Sequence, residues 1–414
     1  MNTSSFSTQD IPFSFHFMRL MGIEAWRQFM RLFVQHHAWY QDFFHASSQT
    51  SIFSSFIPEN LYTSFTSEAF ETFLAEHVSL FTKGVEAYQQ FPRSKRPLPT
   101  KIWHNGAASL GYIPSFTTPQ ASVLFLPAFM NNPGIFSLPN GGISAFFAQN
   151  GIASYVLDWG DVCLPSMEAY YTEILLPALH ALASHTSTRL FLFGYCIGAI
   201  TALGLLNSIK QIDKKFSIAP IAGALLLSPP WDFRVYPSFT QQFIDHTFLL
   251  QKKWLVSDIT EPVITTSFLN LLQPWTIFEK YAHFARCKDP AKRQLFVETE
   301  DWLNDIYALS TPFIQNTISS WFLDNALCTQ QWTLFHQPIL PAEMTPPVFL
   351  ASPLNDRVVP PASGNALKAL LPHAFPICPS VGHIGALVGS HAEELFWKPC
   401  LNFMKNVINK EEKI

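Results

Sequence analysis

Between Arg189 and Lys210 the chain carries no charged residue. A run of that length would cross a bilayer as one helix, since about 20 apolar residues suffice. This run is not written as one helix. It opens on Leu190-Phe191-Leu192-Phe193, a β-type cluster, and breaks at Gly194-Tyr195-Cys196-Ile197-Gly198 before apolar residues resume. A buried strand, a sharp turn and a buried helix account for the same hydropathy. A strand apolar at every position must be covered on both faces. Runs of the same texture recur at residues 121–126, 152–157, 222–227, 347–351 and 376–378, separated by helical stretches. This pattern predicts an α/β fold with a mainly parallel sheet.

Composition narrows the partners. Charged residues make up 14% of the 414, and aromatic residues 15%, with 39 Phe. So much burial power excludes a disordered chain, and a net charge of -4 without a basic cluster excludes nucleic acid. The first residues, Met1-Asn2-Thr3-Ser4-Ser5-Phe6, contain neither a basic stretch nor a long apolar one, so no signal peptide and no transmembrane segment are expected. The six cysteines show no CxxC pair and no metal-ligand spacing, which speaks against a disulfide framework or a metal site and for a reducing, cytoplasmic setting. Cys378, in an expected strand, is read as core. P-loop, GxGxxG and HExxH motifs are missing, so no resident cofactor is expected.

The turn inside the uncharged run carries the chemistry. Gly194-Tyr195-Cys196-Ile197-Gly198 fits G-x-nucleophile-x-G between a strand and a helix, the nucleophile elbow of α/β-hydrolases. Glycines two positions either side let neighbouring backbone approach, and the helix start beyond favours a thiolate. The bland alternative is a buried, inert cysteine. In this fold the acid and the base follow the nucleophile, on loops after late strands. Asp356 follows the 347–351 run, and His383, between Gly382 and Gly385, follows the 376–378 run. His383 is therefore the expected base for Cys196, and Asp356 the group that orients it. His373 and His391 are the rival bases and lack that setting. Asp158 precedes the nucleophile and is read as a capped strand end. An oxyanion hole is expected from the backbone N–H of Ile197 and, in the loop Pro127-Ala128-Phe129-Met130-Asn131-Asn132-Pro133, from that of Met130.

These segments together resemble the polyhydroxyalkanoate synthases of the short bacterial type, the catalytic subunit of class III. The resemblance spans roughly residues 95–395. It is carried by the lipase-like box with Cys for Ser, the Pro127–Asn131 loop, Tyr155-Val156-Leu157-Asp158-Trp159-Gly160, Trp231-Asp232-Phe233, Glu300-Asp301-Trp302-Leu303, Asp324-Asn325-Ala326-Leu327, Asp356 with Val359-Pro360, and Gly382-His383-Ile384. Two positions depart from the family: Ala199 stands where a second Gly is usual, and Arg357 where His often follows the acid. The resemblance implies an acyltransferase that polymerises (R)-3-hydroxyacyl-CoA through a Cys thioester with release of CoA. Coenzyme A thioester is then substrate, not cofactor. It also implies a homodimer or a second synthase subunit, and a place at cytoplasmic polymer granules. Competing readings are a Cys-dependent ester or thioester hydrolase or polymer depolymerase on the same fold, and a non-catalytic granule protein.

Four segments are expected: a helical N-terminal region over 1–95, the first part of an α/β-hydrolase core over 96–230, an inserted helical cap over 231–336, and the rest of the core over 337–414. Within the first, residues 13–44 place Phe15, Trp26, Phe29 and Phe33 on one broad helical face. The core, a second subunit or a granule could cover that face. A second helix is expected from Glu68 to Tyr88, capped by Ser67, and the Pro-rich, basic stretch 92–99 reads as a linker.

Overall fold

The computed structural model describes residues 67–95, 98–139, 141–216, 220–236 and 274–411. The expected helix at 13–44 and the middle of the expected cap lie outside these. Among the described residues, those up to Arg93 and those at 274–297 form one compact unit, and the rest form a second.

The first unit is built on α1 (Ser67–Gln89), α5 (Pro274–Arg286) and the beginning of α6 (Pro290–Asn304). α1 starts at Ser67 itself rather than after it. Phe81, Val85, Tyr88, Tyr281, Phe284 and Val297 are buried together. Tyr281 meets Phe81 and Tyr88 edge-on, with centroids 5.7 and 5.6 Å apart.

The second unit is an eight-stranded sheet. Its strands are β1 (Thr100–Asn105), β2 (Ala108–Ile113), β3 (Ala121–Leu126), β4 (Ile152–Asp158), β5 (Arg189–Tyr195), β6 (Ile221–Leu227), β7 (Val348–Ala351) and β8 (Ala374–Ile377). The order is β1-β2-β4-β3-β5-β6-β7-β8. β1 with β2 and β2 with β4 run antiparallel, and the remaining pairs are parallel. This is the α/β-hydrolase fold. The central strands β3 and β5 are buried almost end to end, as continuous apolar runs demand. Alternate residues Val123, Phe125, Phe191, Phe193, Leu225, Leu227 and Phe349 share one face with α2 (Ile143–Gln149) and with α8 (Lys398–Glu411). The other face receives α4 (Ile197–Phe216). Between β4 and β5 lies α3 (Leu176–His185).

Two expectations change. The antiparallel β1–β2 hairpin is an addition, hidden because β1, Thr-Lys-Ile-Trp-His-Asn, is an exposed edge without an apolar run. The last strand ends at Ile377, so Cys378 is exposed rather than core. Pro376 is tolerated there because β8 is an edge strand. The described residues of the expected cap fall in both units. Its 274–297 portion packs with α1, whereas 298–336, with α7 (Thr311–Thr317) and a two-residue hairpin, belongs to the hydrolase unit. The reason is visible in its contacts: Trp302 enters the main core, Ser310 Oγ donates to the Leu164 carbonyl, and Asn325 Nδ2 donates to Asp232. The uncharged run from Leu190 resolves into β5 and α4, and among the described residues no helix is long and apolar enough to cross a membrane.

Candidate active site

β5 ends at Tyr195 and α4 begins at Ile197, leaving Cys196 alone at the turn. Its φ is 56°, a left-handed conformation that costs a non-glycine residue about 1–2 kcal/mol. Flanking hydrogen bonds hold it there: Cys196 N donates to the Leu227 carbonyl over 2.9 Å, and Ala199 N donates to the Cys196 carbonyl over 2.9 Å. Both glycines are needed by contact. A Cβ on Gly194 would stand 2.6 Å from the Gly198 carbonyl oxygen, and one on Gly198 would run into the Leu126 carbonyl oxygen. The close approach of α4 to the end of β3 is thus what lifts Cys196 above the strand ends.

Asp356 and His383 come from the loops after β7 and β8. His383 Nδ1 and Asp356 Oδ2 are 2.7 Å apart, and the Asp356 carboxyl is fully buried. Its other oxygen accepts from Val358 N and Val359 N at 2.9 and 2.8 Å. Burial by itself would raise the Asp356 pKa. The charge of His383, its hydrogen bond and the Val359 N–H overcome that and hold the carboxyl below the usual carboxylate range. Burial likewise opposes a charged His383, but the Asp356 carboxylate, by charge and hydrogen bond, wins and pushes the imidazole up to about 10. Cys196 adds to that shift as a hydrogen-bond partner of the imidazole. The structure therefore brings Cys196, His383 and Asp356 into one cluster. The rivals are elsewhere. The His373 carbonyl accepts from Val348 N at the beginning of β7, the far end of the sheet. His391 is exposed.

The Pro127–Pro133 loop continues β3, and β3 pairs directly with β5, with Leu126 opposite Gly194. Ile197 N and Met130 N, the two expected oxyanion donors, therefore flank the same strand ends. The Met130 N–H has no acceptor among the described residues. Beneath the loop, Phe129 packs on Trp159, Tyr170 and Phe313 with centroids 4.6, 4.6 and 5.2 Å away, and Trp159 Nε1 donates to the Pro127 carbonyl over 3.0 Å. The Asp-Trp-Gly strand end is thus a prop for the loop. Asp158 accepts from Tyr307 OH at 2.8 Å and from Gly160 N at 3.1 Å.

Two tyrosines of the site carried no sequence signal. Tyr195 lies under His383, and Tyr236 is buried where Cys196 and Asp356 act on it electrostatically. Burial first, then those two groups, push both phenols well above their ordinary pKa. Of the departures from the family pattern, Ala199 is fully buried beside Gly194, and Arg357 is exposed. Among the described residues no cluster of three or more His, Cys, Asp or Glu could hold a metal ion.

No protein-family model matches the chain. The chain is 23% identical over 250 residues to the poly(3-hydroxyalkanoate) polymerase subunit PhaC of Allochromatium vinosum, a match covering 58% of this chain and 68% of that protein. Among solved structures, a carboxyl esterase from Bacillus coagulans matches at TM-score 0.47 and 14% identity, over 73% of this chain and 94% of that one. A thermophilic esterase from Thermogutta terrifontis matches at TM-score 0.44 and 14% identity, over 76% and 99%. The fold and the relation to PhaC support an enzyme of the α/β-hydrolase fold, an acyltransferase or a hydrolase.

Proposed function

We propose that this chain is a polyhydroxyalkanoate synthase-type acyltransferase acting on (R)-3-hydroxyacyl-CoA, with Cys196 as nucleophile, His383 as base and Asp356 as the group that orients it. The observation that carries the reading is the left-handed Cys196 set beside the 2.7 Å His383–Asp356 pair. The thiol proton passes to His383 before the attack, and Cys196 Sγ then adds to the thioester carbonyl with the proton held on the imidazole. The buried Asp356 carboxylate stabilises the imidazolium so formed. The N–H groups of Ile197 and Met130 face the developing oxyanion. The bond from the acyl carbon to the CoA sulfur breaks, and the proton on His383 leaves with the CoA thiol. The hydroxyl of a second acyl unit then attacks the Cys196 thioester. Its proton passes through His383 to the departing Cys196 sulfur, and an ester bond is made.

A sulfur nucleophile suits this sequence. Exchange of one thioester for another is close to isoenergetic, and the step to an oxoester runs downhill. Kinship with a protein named a polymerase subunit supports work with a second subunit or a second copy. A chain so poor in charge, at 14% of its residues, supports action at a hydrophobic granule in the cytoplasm.

The test is incubation with (R)-3-hydroxybutyryl-CoA while free CoA and the acyl product are followed. Polymer with CoA release is expected, and Cys196→Ala should abolish both. Free 3-hydroxybutyrate in place of polymer would make the chain a thioester hydrolase. No CoA release, with or without a partner subunit, would leave a non-catalytic granule protein. Turnover retained in Cys196→Ala would remove the nucleophile assignment.

A further inference from the structure

The loop that carries Met130 is gripped from outside by a single stretch of chain. At its start Trp302 Nε1 donates to the Asn132 carbonyl over 2.7 Å. Asn132 Nδ2 donates to Asp305 twice, to the carboxylate Oδ2 at 2.8 Å and to the main-chain oxygen at 3.0 Å. Asn131 forms a β-bridge with Ile306. Tyr307 N donates to the Met130 carbonyl over 2.8 Å, while the Tyr307 hydroxyl reaches Asp158 Oδ1 at 2.8 Å. Every residue of the loop from Met130 to Asn132 is thus bonded to the 302–307 stretch, and Tyr307 bridges the loop to the end of β4.

We infer that residues 302–307 are a strap that fixes the oxyanion loop, with Asp305 and Tyr307 as positioning residues for acyl transfer at Cys196. The inference rests on the acyl-transfer reading above. The physical reason is proximity along the backbone: the Met130 carbonyl lies in the peptide unit next to the one that carries the Met130 N–H, one Cα away. Tyr307 N holds the carbonyl of Met130, and Asp305 holds the side chain two residues on. Rotation of the loop would turn the Met130 N–H away from the substrate oxygen, and both bonds oppose that rotation. An oxyanion donor works only if it is already aimed when charge develops. Loss of a whole donor costs about 10²–10³ in rate, so loosening one should cost about tenfold.

The experiment separates positioning from folding by using two reactions of the same thiol. Alkylation of Cys196 by iodoacetamide displaces iodide and forms no oxyanion. Acylation of Cys196 by (R)-3-hydroxybutyryl-CoA, or by p-nitrophenyl butyrate, does form one. Both are followed on the Cys196 peptide by mass spectrometry, with burst release of CoA or nitrophenol as a second readout. Asp305→Ala and Tyr307→Phe should each slow acylation about tenfold, with KM little changed and alkylation at the wild-type rate. Asp305→Asn, which keeps an acceptor for Asn132, should recover most of the loss. Acylation and alkylation falling together would mean that the strap only supports the fold, and unchanged acylation in both variants would overturn the inference. Tyr307→Phe removes a single oxygen, so it remains informative if Asp305→Ala does not fold. Wild-type protein acylated by neither probe would instead refute the acyl-transfer reading, and the strap's role with it.

Discussion

The Tyr195 hydroxyl donates to the main-chain oxygen of His383 across 3.3 Å, and the two rings lie 4.9 Å apart at an interplanar angle of 35°. The residue that closes β5, immediately before Cys196, therefore supports His383 from below. The elbow and the His loop are joined by this contact as well as by the chemistry above it. Tyr195→Phe keeps the ring packing and removes a long, weak hydrogen bond. It should cost about 1 kcal/mol in urea unfolding and only a few-fold in CoA release. A loss of orders of magnitude would mean that the phenol itself takes part in proton transfer.

Gly198→Ala tests the approach of α4 to β3. The added methyl meets main-chain oxygens of Leu126 and Pro127, which cannot rotate away as a side chain would. We expect a loss of about 3 kcal/mol in urea unfolding, together with loss of acyl transfer because the oxyanion loop begins at Pro127. A variant of wild-type stability would show that the elbow is looser than drawn.

Ala199→Gly restores the glycine pair usual in the resembled family. Ala199 is fully buried inside α4, so the change should destabilise by about 0.5–1 kcal/mol, the cost of glycine in a helix. Its bond to the Cys196 carbonyl comes from the main chain, which glycine keeps, and steady-state rates with 3-hydroxybutyryl-CoA should stay within a few-fold. A large gain in rate would make Ala199 a brake on the site.

The His383–Asp356 pair should leave a signature in stability against pH. The folded His383 value, about 10, lies above the ordinary 6.5. Its contribution is complete below pH about 6.5 and is lost as pH rises through about 10. Asp356 is shifted down, so its contribution is present above the ordinary carboxylate range and is lost as pH falls through its lowered value. Denaturant unfolding of the wild type and His383→Gln from pH 6 to 10.5 should show a gap that narrows as pH rises. A gap of constant width would mean that His383 is not held charged by Asp356.

Much of this architecture was legible in the residues. Buried parallel strands must be apolar on both sides, so β3, β4, β5 and β6 announced themselves, and the order of strand ends then pointed to Cys196, Asp356 and His383. The signal failed where burial is one-sided or local. β1 is an exposed edge, and β8 is short and carries Pro376. Tyr195 and Tyr236 read as ordinary apolar residues, because position in space rather than pattern gives them a role. The strap was half visible: Trp302 stood in a segment resembling the synthases. Its contacts join Asp305 to a loop 173 residues earlier, and no local periodicity encodes such a pairing.

That separation has a consequence for how the protein is made. Chains leave the ribosome from the amino terminus, and Cys196 is translated before Asp305, Asp356 and His383. An emerging chain can hold its elbow with the thiol in place, yet it lacks His383, Asp356 and the 302–307 stretch. The sheet is equally incomplete, since β7 and β8 come from the last part of the sequence. On the proposed acyl transfer, loading would therefore wait until His383 has emerged. A product of a ribosome stalled before that point would hold the Cys196 thiol without its two partners.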